Sequence, residues 1–268
     1  MLKDITLGQY FPGNSPIHRL DPRTKLIMLV VYIVALFLAK SWISYAVMLV
    51  FLVFTIKISA IPPKSILRGM KPIVMILVFT GVLNLFFTRE GRTLVNIGFI
   101  VITEGGLTRA IFMMARILML ITGTFLLTYT TSPISLTDGL EALLNPLKKL
   151  HVPVHELSMM MCIALRFIPT LIEETDKIMS AQKARGADFE NGTLMERARA
   201  LIPILVPLFI GAFRRADELA TAMECRCYQG GEGRTKMKLL RYHLNDMKAF
   251  FIGVGLLILV GALAALGL

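Results

Sequence analysis

Two arginines occupy matching positions in a weak internal repeat, and their side chains suit a specific interaction with a partner. Asp176 stands nine residues before Arg185, and Asp217 stands nine residues before Arg226. The guanidinium group is a rigid fork of five donors that matches the geometry of carboxylates. A cation near a helix C-terminus is also stabilised by the helix dipole, by about 0.3–1 kcal/mol. Partner binding and helix-end stabilisation therefore both stay open for each arginine.

Two histidines have a spacing that could place a metal ion on a helix. His151 and His155 are four residues apart, and Glu156 follows directly. However, Pro153 lies between them and the order is not His-Glu-x-x-His, so we expect no metal site. The sequence also lacks the Gly-x-x-x-x-Gly-Lys-Ser/Thr pattern of a P-loop. We therefore expect this chain to bind neither ATP nor a cofactor itself.

The composition indicates an integral membrane protein. Hydrophobic residues make up 55% of the 268 residues and charged residues 18%, whereas soluble domains contain about 25% charged residues. The net charge of +11 fits basic loops at a membrane better than nucleic-acid binding, because no basic run is interleaved with aromatics. The cysteines are expected to be reduced thiols, since an odd number cannot pair fully; they are Cys162, Cys225 and Cys227.

Five apolar stretches predict transmembrane helices, since a bilayer core of about 30 Å requires roughly 20 helical residues. The stretch 26–56 is too long for one span, and we divide it at Lys40-Ser41-Trp42, whose side chains suit a membrane interface. The predicted spans are 26–39, 43–56, 72–87, 107–129 and 249–266. Lysine and arginine are more frequent in the flanks on the N-terminal side, which predicts a cytoplasmic N-terminus and an external C-terminus.

The segment between the fourth and fifth spans predicts three amphipathic cytoplasmic helices. The first begins near Ser135, with Asp138 as a capping partner, and Pro146 kinks or ends it. The second runs from Pro153 to about Arg185. The third begins at a capping box formed by residues 193–196 and runs to about Arg226. Both long helices are expected to be too polar to cross a bilayer and to lie against membrane or a partner protein.

The predicted fold is thus an all-α polytopic membrane protein with about five transmembrane helices and a cytoplasmic segment. The domain boundaries are a cytoplasmic N-terminal segment 1–25, transmembrane helices in 26–129, cytoplasmic helices in 130–248 and a last transmembrane helix in 249–268.

Two polar residues lie within predicted spans. Asn84 could bond a neighbouring helix, and Arg116 could mark a functional site or simply cap a backbone carbonyl inside the bundle. A secondary carrier or channel would require convergent polar groups at the bilayer midplane. A membrane enzyme would require clustered His, Asp or Glu near the membrane surface. Neither pattern is evident, so a non-catalytic subunit is favoured, with a carrier or channel as the alternative.

Several motifs together resemble one family across nearly the whole chain. They are Asp21-Pro22-Arg23 with Lys25, the segment 166–169, Ala184-Arg185-Gly186 and Cys225-Arg226-Cys227. In this combination the chain resembles the transmembrane T component of energy-coupling factor (ECF) type ABC transporters, which are prokaryotic importers of vitamins and transition-metal ions. Many members have a small residue before the second arginine, so Cys225 is a mild departure.

The resemblance implies a multi-pass protein of the prokaryotic cell membrane with a coupling role. Two ABC ATPases would bind ATP and Mg²⁺, and a separate S component would bind the vitamin or ion. The T component would join them through cytoplasmic coupling helices. Arg185 and Arg226 match the motif arginines that dock on the two ATPases, together with Ala184, Gly186, Cys225 and Cys227.

Methionines on the coupling helices suggest a surface that can pack against more than one S component, because thioether side chains are flexible. The alternative is ordinary filling of gaps between helices. The predicted surface comprises Met159, Met160, Met161, Leu165, Met179 and Met223.

Overall fold

A computed structural model describes residues 10–87, 93–97, 100–187, 189, 193–231, 233 and 239–266. The first nine residues of the predicted N-terminal segment 1–25 and the last two of the predicted C-terminal segment 249–268 lie outside this range. The described helices are α1 (Pro22–Leu38), α2 (Trp42–Ser59), α3 (Pro63–Phe87), α4 (Glu104–Thr130), α5 (Pro133–Leu144), α6 (Val154–Ala184), α7 (Leu194–Cys225) and α8 (Leu244–Ala265), with a 3₁₀ helix at Asn145–Leu150.

The predicted all-α polytopic fold is confirmed, with one small addition. Strands β1 (Thr93–Ile97) and β2 (Ile100–Thr103) pair antiparallel between α3 and α4, with an irregularity between Thr93 and Val95. This hairpin was not predicted, because a short apolar run of this kind does not distinguish strand from helix by periodicity. The described residues form two compact units, one within 10–142 and 240–266 and the other within 143–239.

The first unit contains α1 to α4, most of α5, and α8. The predicted division of 26–56 is confirmed, because α1 ends at Leu38 and Ser41 caps the start of α2. The third span was predicted too short at its N-terminal end. Its helix begins at Pro63 and continues through Pro72, since proline is well suited to a first helical turn and an internal proline need not end a helix.

By length and composition, five of the described helices could cross a membrane: α2, α3, α4, α6 and α8. The number agrees with the sequence prediction, but the membership differs. Helix α1 has 17 residues, or about 25 Å at 1.5 Å per residue, which is shorter than a typical bilayer core. Helix α6, which we expected to be too polar, contains a sufficiently apolar stretch before its charged C-terminal third, although it is the least apolar of the five.

The core of this unit joins α1, α2, α4 and α8. Its buried side chains include Tyr32, Leu36, Met48, Met119 and Val260. Close approach of these helices depends on small residues. A Cβ at Gly123 would lie 2.7 Å from the Tyr32 ring, and a Cβ at Gly253 would lie 2.3 Å from Met28 Cε. These contacts allow α4 and α8 to pack tightly against α1.

A buried polar cluster ties together the ends of α1, α4 and α8. Asp21 caps α1 by accepting a 2.9 Å hydrogen bond from the Arg23 backbone N–H. The Asp21 backbone N–H donates to Asp246 Oδ1 at 2.8 Å, and Asp246 also caps α8. Lys25 Nζ donates to the carbonyl oxygens of His18 and Thr130 at 3.2 and 2.9 Å. The motif noted before the first span thus fixes three helix ends at one side of the bundle.

Candidate functional site

Helices α6 and α7 carry both arginines of the internal repeat, and their lengths agree with the sequence prediction. They contain 31 and 32 residues, or about 47 Å each. The predicted capping box at the start of α7 is confirmed, since Thr193 N–H donates to Glu196 Oε2 at 2.8 Å and Glu196 N–H donates to Thr193 Oγ1 at 3.4 Å. The backbone hydrogen bond from Thr193 holds the pKa of the exposed Glu196 carboxyl below its usual range.

The cap of α5 was predicted at the wrong residue. Ser132, rather than Ser135, precedes the helix, and its Oγ accepts a 3.2 Å hydrogen bond from Ser135 N–H. The helix starts at Pro133, whose ring favours the first helical position. The region around Pro146 leaves the α-helix for a 3₁₀ turn, as expected from the missing proline N–H.

Helices α6 and α7 are antiparallel, and pairs of contacts along their lengths define the register. Arg215 Nη2 forms an ion pair with Glu174 Oε2, and both side chains are half-buried. A Cβ at Gly211 would lie 3.2 Å from Glu174 Oε1, so glycine leaves room for that carboxylate. Gln182 Nε2 lies 3.5 Å from the Pro203 carbonyl oxygen. Residue numbers therefore rise along α7 as they fall along α6.

The same antiparallel order continues beyond the helices. A Cβ at Gly231 would lie 2.5 Å from the His155 ring, so the chain after α7 returns to the start of α6. Arg185 therefore lies near the start of α7, whereas Arg226 lies near the first turns of α6. Interpolating between these contacts separates the two positions by roughly 24 residues of α6, which is about 35 Å at 1.5 Å per residue.

Both helices end in the same hydrogen-bonded motif. After α6, Gly186 N–H donates to Lys183 O at 3.0 Å and Ala187 N–H donates to Gln182 O at 3.0 Å. After α7, Cys227 N–H donates to Glu224 O at 2.8 Å and Tyr228 N–H donates to Met223 O at 3.0 Å. These are the two bonds of a Schellman motif. Arg185 and Arg226 are the C-cap residues of equivalent helix ends.

The two ends differ in the residue that takes the left-handed conformation. Gly186 has φ +88° and Cys227 has φ +55°. Glycine adopts this conformation without a Cβ penalty, whereas an L residue loses roughly 1–2 kcal/mol. The departure from the Ala-Arg-Gly pattern at the second motif therefore places strain at Cys227, in addition to the change at Cys225.

The docking residues predicted from the sequence are all accessible. Ala184, Arg185, Gly186, Cys225, Arg226 and Cys227 are exposed. Within the part of the chain that the structure describes, neither arginine side chain forms an ion pair or hydrogen bond. Their guanidinium groups are therefore available to carboxylates of another protein.

The predicted methionine surface is divided between exposed and partly covered side chains. Met160 and Met161 are exposed, while Met159, Leu165, Met179 and Met223 are half-buried. A more continuous exposed apolar stripe on α7 was missed. It consists of Leu201, Ile202, Leu205, Val206, Phe209, Ile210 and Phe213. Its i, i+4 spacing is visible in the sequence and could have identified it.

The two histidines and three cysteines noted in the sequence form no binding site among the described residues. His151 ends the 3₁₀ helix with φ +61°, while His155 lies against Gly231. No metal-binding group of three or more His, Cys, Asp or Glu side chains occurs among the described residues. The three cysteines are free thiols, with Cys225 and Cys227 exposed and Cys162 half-buried.

The polar residues inside the spans are engaged within the bundle. Arg116 Nε donates to Tyr45 Oη at 2.9 Å, and Nη2 donates to the Ala39 carbonyl oxygen at 3.2 Å. The guanidinium also lies 5.5 Å from the centre of the Phe37 ring. Arg116 therefore satisfies a carbonyl at the end of α1, as the structural alternative predicted. Asn84 Nδ2 donates to Thr80 O in its own helix at 2.9 Å, rather than to a neighbouring helix as the sequence had suggested.

Comparisons with known proteins agree with the motif pattern. Residues 13–237 match the CbiQ family, described as cobalt transport proteins. The chain is 57% identical over 256 residues to the energy-coupling factor transporter transmembrane protein EcfT of Thermosediminibacter oceani, covering 96% of each chain. It is 52% identical to EcfT of Acidaminococcus fermentans, covering 98% of each chain.

A third relative extends the similarity to another bacterium. EcfT of Bacillus subtilis is 52% identical over 246 residues, which cover 92% of this chain and 93% of the relative. Alignments that cover 92–98% of this chain include the membrane helices as well as α6 and α7. The chain therefore belongs to the CbiQ family of transport proteins, with the transmembrane proteins of energy-coupling factor transporters.

Proposed function

We propose that this chain couples two ABC ATPases to a substrate-binding S component in an ECF importer. The observation that carries the proposal is the antiparallel α6–α7 pair, which presents an equivalent, exposed arginine at each of two separated helix ends. A separation of about 35 Å suits two ATPase subunits better than one shared site. The names of the relatives support an ECF complex, since each is described as the transmembrane protein of such a transporter.

Each arginine docks one ATPase subunit in this proposal. The Schellman motif holds the backbone at the C-cap, so the side chain extends from a rigid helix end. A carboxylate groove on the ATPase receives the guanidinium, and a charge-assisted hydrogen bond of this type contributes about 1.5–3 kcal/mol. ATP and Mg²⁺ bind to the ATPases, and this chain performs no catalytic step.

The apolar stripe of α7 and the exposed methionines of α6 form the surface for the S component and surrounding lipid. Seven large apolar side chains exposed along one helix are more than a water-facing helix normally tolerates. Flexible Met160 and Met161 extend this surface on α6. The substrate binds to the S component, and the N-terminus lies on the cytoplasmic side, where the ATPases are. Although α6 is long and apolar enough to cross a membrane, both arginine-bearing ends must reach the ATPases, so in this proposal the α6–α7 pair lies along the cytoplasmic side of the membrane.

The ion pair between Glu174 and Arg215 links the two docking ends mechanically. It joins α6 to α7 between the positions of Arg185 and Arg226, so displacement of one helix by its ATPase is transmitted to the other. Half-burial of both side chains protects the pair from screening by salt.

Charge reversal tests the docking role. Arg185→Glu and Arg226→Glu each replace attraction by repulsion, and loss of a buried charge partner costs about 2–5 kcal/mol, or roughly 30-fold or more in affinity. ATPase capture and substrate uptake should therefore fall for either variant, and further for the double variant. Arg214→Glu is the matched control, since this exposed arginine lies on α7 away from the helix end.

A second set of variants separates docking from helix-end stabilisation. Arg185→Lys and Arg226→Lys keep a cation at the helix dipole but remove the planar fork. If the arginines dock the ATPases, the lysine variants should show weakened ATPase capture with unchanged thermal stability. If the arginines only stabilise the helix ends, the lysine variants should keep wild-type ATPase capture, uptake and thermal stability. Retention of ATPase binding and uptake by both charge reversals would refute the proposed function.

A further inference from the structure

An apolar cleft in the membrane bundle opens onto its exposed surface. Its volume is about 200 Å³, and its walls come from α1, α2, α4, α8 and the segment before α1. Phe54 on α2 and Ile252 on α8 line it and are 58% and 56% exposed. The mouth therefore lies between two helices that are long and apolar enough to cross a membrane, and it is continuous with the surface that lipid covers.

The polar side chains that line the cleft are already bonded within the protein. Lys25 Nζ donates to two carbonyl oxygens, and Tyr32 Oη donates to Met119 O at 3.2 Å. The hydroxyls of Thr55 and Thr130 donate to the carbonyls of Phe51 and Leu126, each at 2.8 Å. The cleft thus offers its occupant apolar contacts rather than free hydrogen-bonding groups, and apolar cavities of this size take hydrocarbon rather than water.

Two lysines lie about one helical turn from the mouth residues Phe54 and Ile252. Lys57 follows Phe54 by three residues on α2, and Lys248 precedes Ile252 by four residues on α8, so each lysine lies on the same helix face as a mouth residue. Both are exposed, and in the described ranges neither side chain has a hydrogen-bond or ion-pair partner. The position of these cations, one turn beyond an apolar mouth, complements an anionic headgroup attached to an acyl chain.

We propose that this cleft binds one anionic phospholipid, with part of an acyl chain between α2 and α8 and the phosphate at Lys57 and Lys248. The lipid belongs to the leaflet at the bundle end where α1 and α8 begin and α2 and α4 end. Its chain fills the space beside Tyr32 and Leu126, where the protein leaves its own core incomplete. The site is independent of the docking ends on α6 and α7.

Native mass spectrometry of the full chain in detergent tests the proposal with two probes of the same chain length. Dioleoyl-phosphatidylglycerol should bind about 25-fold more tightly than dioleoyl-phosphatidylcholine, because each lysine near an anionic headgroup contributes about fivefold. Lys57→Gln with Lys248→Gln should remove this preference. Lys40→Gln, an exposed lysine at the other end of α2, is the control and should retain it.

Filling the cleft tests the acyl-chain half of the proposal. Ala249→Leu adds bulk to the lining and should weaken binding of both lipids at least tenfold, while Ala262→Leu makes the same change at an exposed position of α8 and should have no effect. Leu127→Phe provides a second filling variant should Ala249→Leu not yield folded protein. Soluble glycerol phosphate should not compete with the lipid.

Three results would overturn the lipid site. The first is equal affinity of the wild-type protein for the two lipids, and the second is unchanged lipid binding in a folded cleft-filling variant. The third is effective competition by soluble glycerol phosphate, which would indicate a phosphate site that needs no acyl chain.

Discussion

Replacement of Gly186 by alanine should loosen the end of α6 through backbone strain alone. The residue has φ +88°, and no heavy atom of the residues that the structure describes lies within 4 Å of the position that a Cβ would occupy. The substitution therefore introduces no clash with neighbours, and only the left-handed conformation is penalised. That penalty is roughly 1–2 kcal/mol, partly offset because alanine lowers the entropy of the opened chain, which leaves about 1 kcal/mol.

Hydrogen exchange measured by mass spectrometry on the intact chain reports this change directly. The amides of Gly186 and Ala187 are protected by their bonds to Lys183 O and Gln182 O. A loss of about 1 kcal/mol raises the population of the opened helix end about fivefold, and exchange of these amides should accelerate by the same factor. Gly186→Asn is the matched control, because asparagine tolerates the left-handed conformation better than alanine.

At the end of α7, the corresponding substitution should slow amide exchange rather than accelerate it. Cys227→Gly removes a side chain from a residue with φ +55°, so exchange of the amides of Cys227 and Tyr228 should slow by up to about fivefold. Unchanged exchange in Gly186→Ala, or equal acceleration by alanine and asparagine, would refute the reasoning from backbone conformation. If the rigid ends also position the arginines, Gly186→Ala should weaken ATPase capture while Gly186→Asn preserves it.

Three further predictions concern other parts of the chain. Asp246→Ala should destabilise the protein in detergent by about 3 kcal/mol, measured by thermal unfolding. The substitution removes the α8 cap, leaves the buried Asp21 N–H without its acceptor, and takes away one of the two carboxylates that interact with Lys25. Wild-type stability would contradict the role of the polar cluster. Arg116→Leu should lower the stability by about 1–3 kcal/mol in the same assay, since Ala39 O and Tyr45 Oη lose their hydrogen-bond partner. Arg116→Lys should recover only part of this stability. Full stability of the leucine variant would argue against a capping role. The pKa of the Glu196 carboxyl is lowered in the folded chain, so the contribution of this carboxylate to the α7 cap is complete above the usual pKa of 4.5 and is lost as the pH falls through the folded-state pKa. The ratio of the hydrogen-exchange rates of wild type and Glu196→Gln in the first turn of α7 should therefore approach one on acidification. A ratio that does not depend on pH would exclude this linkage.

Local sequence signals were sufficient for α6 and α7, for the start of α7 and for the end of α6. Thr193 and Glu196 form a capping box from atoms three residues apart, and Gly186 ends α6 because only local backbone bonds are needed. The break at residues 39–41 was likewise predicted from neighbouring polar residues. Such features depend on short-range geometry, which the order of residues specifies directly.

The start of α3 and the hairpin at 93–103 were not predictable in the same way. Pro72 is compatible with either a helix start or an internal position, and packing of α3 along α4 favours the longer helix. Helix α6 was left out of the predicted spans because its overall composition lies between that of a membrane span and that of an amphipathic helix, although it contains an apolar stretch long enough to cross a membrane.

The sequence by itself determined the membrane class, the long helices and the two arginines, because composition, periodicity and motif spacing are properties of neighbouring residues. Tertiary structure decided that α6 and α7 run antiparallel, that Glu174 meets Arg215, and that the matched ends lie about 35 Å apart. It also brought Phe54 and Ile252, which are 198 positions apart in the sequence, to one apolar cleft. These relations join residues distant in the chain, and they exist only after helix packing has chosen which faces meet.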